Sequence, residues 1–80
     1  MHLQVYSLKK TLFDGDVESI NCKTTSGEIT ILNNHHPLIT VLQGGTVKIV
    51  NSEGKEYYFP VRSGFAEILP KNGARLIVEE

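Results

Sequence analysis

Cysteine and tryptophan are nearly missing from this sequence: its 80 residues include one cysteine, Cys22, and no tryptophan. A lone cysteine forms no intramolecular disulfide and no cysteine-rich metal site, and it is typical of a reducing compartment. No apolar run approaches the roughly 20 residues that a membrane-spanning helix needs. Apolar residues also do not recur at helical spacing between capping residues, so we predict no substantial helix and no direct membrane insertion.

Neither sign of charge is in excess, because 8 basic and 9 acidic residues give a formal net charge of −1. A nucleic-acid-binding protein would need a basic face to contact phosphates, so we expect no nucleic-acid partner. The segment 1–6 lacks the charged-then-apolar pattern of a secretory signal. With 40% hydrophobic residues, residues 1–80 are expected to form one globular domain.

What the sequence does contain is a series of short alternating segments between turn residues, with turn signals about every eight to twelve residues. This spacing is typical of an all-β flattened sandwich or barrel, here with about eight to ten short, mostly antiparallel strands. The predicted strands are residues 2–8, 17–23, 28–32, 38–42, 46–50, 55–61, 65–69 and 74–78.

Local residue choices add detail to this prediction. The segment Asp14–Asp16 is predicted as a turn with its central glycine at positive φ. The alternation that follows predicts that Val17 faces away from Ile20 and Cys22, and that Cys22 is a buried, inert thiol. Pro60 predicts an edge strand or a bulge, since proline donates no ladder hydrogen bond.

One corner concentrates the polar groups that invite a chemical role. Asn33-Asn34 predicts a tight turn, and His35-His36 follows it directly before Pro37. Neighbouring residues on an extended chain point to opposite sides, so the two histidines do not suit one metal ion. No nucleophile with an oriented base is evident. From the residues alone, a small β-barrel binding module and a small enzyme with His35 as its base both remain open.

Four motifs resemble the epsilon subunit of F-type ATP synthases, and they occur in family order over essentially the whole chain. The central motif is similar to the family's G-E-[FLM]-G-[IV]-L-P-G-H-A-P-L-[LI]-T, and the others resemble L-F-S-G-x-V, G-x-[VL]-R-[IV] and S-G-G-[FI]-[LA]-E-V-x-P. In this sequence they are Gly27-Glu28-x-x-x-Leu32-x-x-His35-x-Pro37-Leu38-x-Thr40, Leu12-Phe13-x-Gly15-x-Val17, Gly45-x-Val47-Lys48-Ile49 and Ser63-Gly64-Phe65-x-Glu67-Ile68-x-Pro70.

The resemblance implies a flattened β-sandwich at the foot of the central stalk, on the cytoplasmic side of a bacterial membrane. Such a subunit would be non-catalytic, would bind no cofactor or metal, and would be a monomer within a hetero-oligomeric complex. It would link the gamma subunit to the polar loops of the c-ring and couple proton-driven rotation to ATP synthesis. By motif, Glu28 would face the c-ring, whereas Ser7, His35 and Thr40 would face gamma.

The sequence departs from the family pattern in three places. Asn33-Asn34 replaces Pro-Gly, and His36 replaces a smaller alanine. The chain ends at Glu80, where typical members continue into a two-helix domain that carries inhibition and nucleotide sensing. We therefore expect a short form that couples rotation without an inhibitory arm and without binding ATP. The alternative function is an unrelated β-barrel protein-binding module.

Overall fold

The computed structural model describes all residues 1–80 and forms eight β-strands. None of its elements is a helix long and apolar enough to cross a membrane. The strands are β1 His2–Tyr6, β2 Thr11–Thr24, β3 Gly27–Leu32, β4 Leu38–Leu42, β5 Gly45–Asn51, β6 Glu56–Val61, β7 Ser63–Leu69 and β8 Gly73–Glu79. The all-β prediction is confirmed.

The strands form two layers that share β2. In the first layer the order is β1-β8-β7-β4, and in the second it is β3-β2-β5-β6. The long strand β2 joins the layers, because residues 11–16 pair with β1 whereas its later residues pair with β5 and β3. A single pair, Thr24 with Leu42, connects its far end to β4. All pairings are antiparallel except that of β1 with β8.

The core lies between the layers and is built from alternate residues of each strand. Side chains that are opposite each other in a ladder point to the same side of the sheet, so Ala66 faces inward together with Leu76. Ile20, Ile31 and Ile49 meet them from the second layer, and each is fully buried. Burying each such aliphatic side chain contributes about 1.5–3 kcal/mol.

The prediction of a turn at Asp14–Asp16 is wrong. This segment continues β2, where Gly15 is paired with Leu3 and does not have positive φ. The predicted orientation of Val17 is also wrong, because both Val17 and Ile20 are buried. A register shift in the pairing with β5 between Val17 and Ser19 inserts one extra residue. Such a bulge reverses the alternation and bends the strand, which lets β2 pass from one layer to the other.

Other local predictions are confirmed. Asn34 has a φ of 62°, which is the left-handed conformation expected for the turn. Pro60 lies in β6, an edge strand that pairs only with β5. Cys22 is fully buried, and burial raises the pKa of its thiol to about 11. A thiol with that pKa is almost entirely protonated at neutral pH and is therefore a poor nucleophile.

Candidate functional site

The outer face of the first layer carries a row of apolar side chains that crosses all four strands. The register places Tyr6 opposite Ile77, Ile77 opposite Phe65, and Phe65 opposite Val41. Neighbouring strands are about 4.8 Å apart, so the row is roughly 14 Å long. Ile39 lies two residues before Val41 on the same side of β4. We call the four side chains of the row, together with Ile39, the apolar face.

The apolar face is solvent-exposed to an extent that is unusual for large hydrophobic side chains. The exposed fractions are 71% for Ile39, 54% for Phe65, 48% for Ile77 and 46% for Val41. Isolated exposed apolar residues need no explanation, but a contiguous group of them marks an interaction surface. The geometry therefore identifies this face as the candidate site.

A second row of side chains borders the apolar face and gives it a polar margin. Gln4 is opposite Arg75, and Arg75 is opposite Glu67, which in turn is opposite Ile39. Arg75 Nε lies 3.3 Å from Glu67 Oε1, but this nitrogen is buried without a hydrogen bond of suitable geometry. An apolar centre with a polar rim is the usual composition of a protein–protein interface.

Ser7 lies at one end of the apolar face, directly after Tyr6. Its hydroxyl accepts hydrogen bonds from the backbone N–H groups of Lys9 and Lys10, both at 3.3 Å, while its own N–H donates to the carbonyl of Lys10 at 2.9 Å. These contacts fix the turn between β1 and β2. A cavity of 190 Å³ lies beside this turn, between it and residues 78–80.

His35 lies at the opposite end of the apolar face, in the segment between β3 and β4. Its ring is exposed, and Nδ1 is 2.7 Å from the carbonyl oxygen of His36. The backbone N–H of Asn34 donates to Asn72 Oδ1 at 2.7 Å, which ties this segment to the turn between β7 and β8. By strand rise, the seven residues of β8 separate the Ser7 and His35 ends by roughly 20 Å.

The segment of His35 is continuous with the apolar face. A hollow of 400 Å³ begins at Pro37 and Ile39 and extends to Leu69 and Pro70. This hollow extends the apolar surface toward the loop. Of the three residues expected to face gamma, Ser7 directly follows the apolar face at one end, and His35 lies in the loop beyond its other end, two residues before Pro37.

Thr40 has a different orientation from its neighbours in β4. It is paired with the buried Ala66, so its side chain is on the inner side of the layer and is half-buried. The outward side chains on either side of it are Ile39 and Val41. Ile39 and Val41, the apolar side chains that β4 exposes, are therefore residues that the family motif did not identify.

Glu28 lies apart from the apolar face, near the tip of the hairpin formed by β2 and β3. It is exposed and is opposite Lys23 in the ladder, yet the structure contains no ion pair between them. The stem of Lys23 lies over Gly45 instead, where a Cβ atom would come within 3.1 Å of Lys23 Cδ. The carboxylate of Glu28 is therefore available to another partner.

The central part of the outer face of the second layer, on β2, β3, β5 and β6, is polar and is satisfied by its own contacts. Asn21 Nδ2 donates to Thr30 Oγ1 at 2.9 Å. The hydroxyl of Tyr58 donates to Glu56 Oε1 at 2.6 Å, and Lys48 Nζ lies 3.6 Å from Glu56 Oε2. The hydrogen bond from Tyr58, followed by the charge of Lys48, lowers the pKa of Glu56. We call these five residues the polar face.

No group of three or more His, Cys, Asp or Glu side chains is placed to hold a metal ion. The closest approach to such a group is His2, whose Nε2 lies 2.9 Å from Asp14 Oδ1 and whose Nδ1 lies 3.6 Å from Asp16 Oδ1. Both carboxylates come from β2, which pairs with β1 here. The contacts of His2 are solvent-exposed, and exposed contacts of this kind stabilise a fold by at most about 1 kcal/mol.

Comparison with known families gives a match over almost the whole chain. Residues 1–79 match the family described as the β-sandwich domain of the ATP synthase delta/epsilon chain. The ATP synthase epsilon chain of Hyphomonas neptunium is 34% identical over 80 residues, and that of Nitrosococcus oceani is 36% identical over 70. These alignments cover 100% and 88% of this chain but only 58% and 50% of the relatives. The chain therefore spans about half the length of those proteins.

Solved structures show the same fold. A chain of the Euglena gracilis mitochondrial ATP synthase, in a structure of OSCP, F1 and the c-ring, matches 98% of this chain with a TM-score of 0.91 and 20% identity. A chain of the Tetrahymena thermophila mitochondrial ATP synthase, in a structure of the central stalk and c-ring, matches all of it with a TM-score of 0.83 and 21% identity. The matches cover 49% and 63% of those chains.

Proposed function

Because this chain belongs to the family of β-sandwich domains of ATP synthase delta and epsilon chains, we propose that it acts in the central stalk of a proton-translocating F-type ATP synthase. In this role it links the gamma subunit to the polar loops of the c-ring and couples proton-driven rotation to ATP synthesis. It is a non-catalytic, peripheral subunit on the cytoplasmic side of a bacterial membrane. Relatives that are named ATP synthase epsilon chains support this role.

The observation that carries the proposal is the apolar face. The subunit must be attached firmly enough to turn with gamma, and face-to-face packing of apolar side chains provides such attachment. In this layer β1, β8 and β7 pair with neighbours on both sides, whereas β4 pairs fully with β7 but with β2 only at Thr24 and Leu42. On β1, β8 and β7, gamma therefore binds through side chains rather than by adding a strand. Ser7 and His35, which the family resemblance assigns to the gamma side, lie beyond the two ends of this face.

Phe65 lies inside the transverse row, between Ile77 and Val41. Aromatic side chains at the centre of an interface are frequent hot spots, and their loss costs about 2–4 kcal/mol of binding. This range corresponds to a decrease in affinity of about 30- to 1,000-fold. Phe65 is therefore the most informative single position on the apolar face.

A pull-down and titration with purified gamma subunit tests the proposal. Phe65→Glu should reduce affinity by at least about 30-fold, since a carboxylate would be desolvated among apolar groups. Tyr58→Glu is the matched control, because Tyr58 on the polar face is 57% exposed and Phe65 is 54% exposed. Circular dichroism verifies that both variants remain folded. Equal binding of gamma by the two variants would contradict the placement of gamma on this face.

Glu28 supplies the second contact of the proposed role, toward the c-ring. Its exposed carboxylate has no ion-pair partner in the chain and is suited to a cationic or hydrogen-bond-donating loop. Glu28→Lys should change stability by no more than about 0.5 kcal/mol but should weaken coupling by reversing the charge. Proton pumping by assembled complexes measures this effect. If mutant complexes assemble normally and pump as well as the wild type, Glu28 does not face the ring.

The other functions that the residues alone left open have lost their support. Membership of the ATP synthase family removes the alternative of an unrelated β-barrel module. A catalytic role for His35 finds no support in its surroundings, because its Nδ1 faces the carbonyl of His36 and no Ser, Thr or Cys side chain hydrogen-bonds to its ring.

A further inference from the structure

The strand β3 has one edge that pairs with nothing. Its residues Gly27–Leu32 form a ladder with β2 alone, and no other backbone hydrogen bond in the structure involves the strand. In an antiparallel pair, alternate residues direct their N–H and C=O groups away from the partner. About half of the backbone polar groups of β3 therefore face solvent in a regular row.

The edge of β6 is also free, but it is protected against pairing. Pro60 removes a hydrogen-bond donor from the strand, which begins at the charged Glu56 and directly follows Lys55. Proteins use such devices to prevent edge-to-edge association. The strand β3 contains no proline and no lysine, and its ladder with β2 has no bulge. Its edge is therefore suited to accept another strand.

The side chains along β3 define what kind of strand it would accept. Glu28, Thr30 and Leu32 point outward, and Leu32 is 59% exposed. The carboxylate of Glu28 has no ion pair because the stem of Lys23 packs over Gly45. A strand laid beside β3 would place a side chain opposite each of these three residues. Charge complementarity then requires a basic residue near Glu28, and Leu32 favours an apolar one at the far end.

We propose that the free edge of β3 takes a short, extended, basic segment of the rotor by main-chain pairing. The inference rests on the proposed function for the identity of this segment, a polar loop of the c-ring, and it adds the mode of binding. Strand addition combines affinity from backbone hydrogen bonds with specificity from alternate side chains. This site is separate from the apolar face, so the subunit would hold gamma by a sheet face and the ring by a strand edge.

Amide hydrogen exchange distinguishes main-chain pairing from a contact made by the Glu28 side chain alone. The exchange of the amides in residues 27–32 is measured in the chain alone, in its complex with gamma, and in a complex with gamma and detergent-purified c-ring. The outward-facing amides of β3 should exchange rapidly in the first two samples. They should slow by at least about tenfold when the ring is present.

Two charge reversals provide a matched pair for the same complexes. Glu28→Lys should abolish the added protection and weaken ring binding, whereas Glu53→Lys, on the exposed turn between β5 and β6, should change neither. Ring binding with β3 amides that still exchange rapidly would overturn this inference and leave the proposed function standing. Binding of gamma without any binding of the ring would overturn both. Protection of β3 in the chain alone, increasing with concentration, would identify a second copy as the occupant and overturn the choice of the ring.

Discussion

The two outer faces of the sandwich differ in what they leave unsatisfied. On the polar face, each of the five side chains has a hydrogen-bond or ion-pair partner within the face. On the apolar face, Ile39, Val41, Phe65 and Ile77 are about half exposed or more and have no hydrogen-bonding group to be satisfied by a neighbour. The polar groups of the first face are satisfied in the isolated chain, whereas covering the apolar side chains of the second face with a partner is favourable in free energy.

This difference separates residues that stabilise the fold from residues that stabilise a complex. A buried side chain contributes to folding whether or not a partner is present. An exposed apolar side chain contributes little until a partner removes it from water. Substitutions on adjacent residues of one strand can therefore have opposite consequences, and this contrast can be measured.

The largest expected effect concerns Gly64, which lets β7 approach β8 beneath the apolar face. A Cβ atom at Gly64 would come within 2.3 Å of the carbonyl oxygen of Ile77, and its φ is 157°. Gly64→Ala should lower the free energy of unfolding by about 4 kcal/mol, from the steric overlap together with the backbone strain. Chemical denaturation measures this loss.

Gly54→Ala is the control for Gly64→Ala. Gly54 also has positive φ, at 84°, but nothing lies within 4 Å of its added Cβ. This variant should lose only about 1–2 kcal/mol, the cost of a left-handed conformation. Equal losses for the two glycines would show that β7 and β8 can move apart and that the close approach is not rigid.

The next effect compares inward and outward residues of β8. Leu76 is fully buried, whereas its neighbour Ile77 is 48% exposed. Leu76→Ala should destabilise the fold by about 3 kcal/mol through the cavity that it leaves, and Ile77→Ala by less than about 1 kcal/mol. Affinity for gamma, measured by titration and corrected for any unfolded protein, should be reduced more by Ile77→Ala than by Leu76→Ala. A larger effect of Leu76→Ala on gamma affinity would contradict the division between the faces.

A smaller effect comes from the core between the two faces and depends on pH. The pKa of Cys22 is raised by burial from 9.0 to about 11, so the fold favours the neutral thiol. The stabilisation that the fold gains from the neutral thiol is fully present below pH 9 and is lost as pH rises from 9 through 11. The pKa difference of about 2 corresponds to about 2.7 kcal/mol at most. Urea denaturation of the wild type and Cys22→Ala from pH 8 to 11 isolates this loss, and parallel curves would contradict it.

The sequence predicted most of the strands because alternation and turn residues are local signals. It misplaced the turn at Asp14–Asp16 because the bend in β2 comes from a bulge, and a bulge depends on the register with β5, which is not local. The apolar face was missed for a similar reason. Its signal was present, since residues 38–42 and 65–69 are apolar on both faces, as in strands covered on both sides. Only the register shows that these side chains form one row.

The smallest expected effect tests whether the polar face is indeed self-sufficient. The hydrogen bond from Tyr58 is the largest cause of the lowered pKa of Glu56, and the charge of Lys48 is the second. Tyr58→Phe should therefore raise the pKa of Glu56 more than Lys48→Met does, as NMR titration would show. A carboxyl group whose pKa is lowered in the folded state stabilises the fold at pH values above its unfolded pKa. Tyr58→Phe should therefore reduce stability at neutral pH but not in acid. Both groups are exposed, so Tm should decrease by less than about 2 °C and gamma binding should be unchanged. A larger effect of Lys48→Met on the pKa, or a loss of gamma binding in Tyr58→Phe, would contradict the assignment of this face.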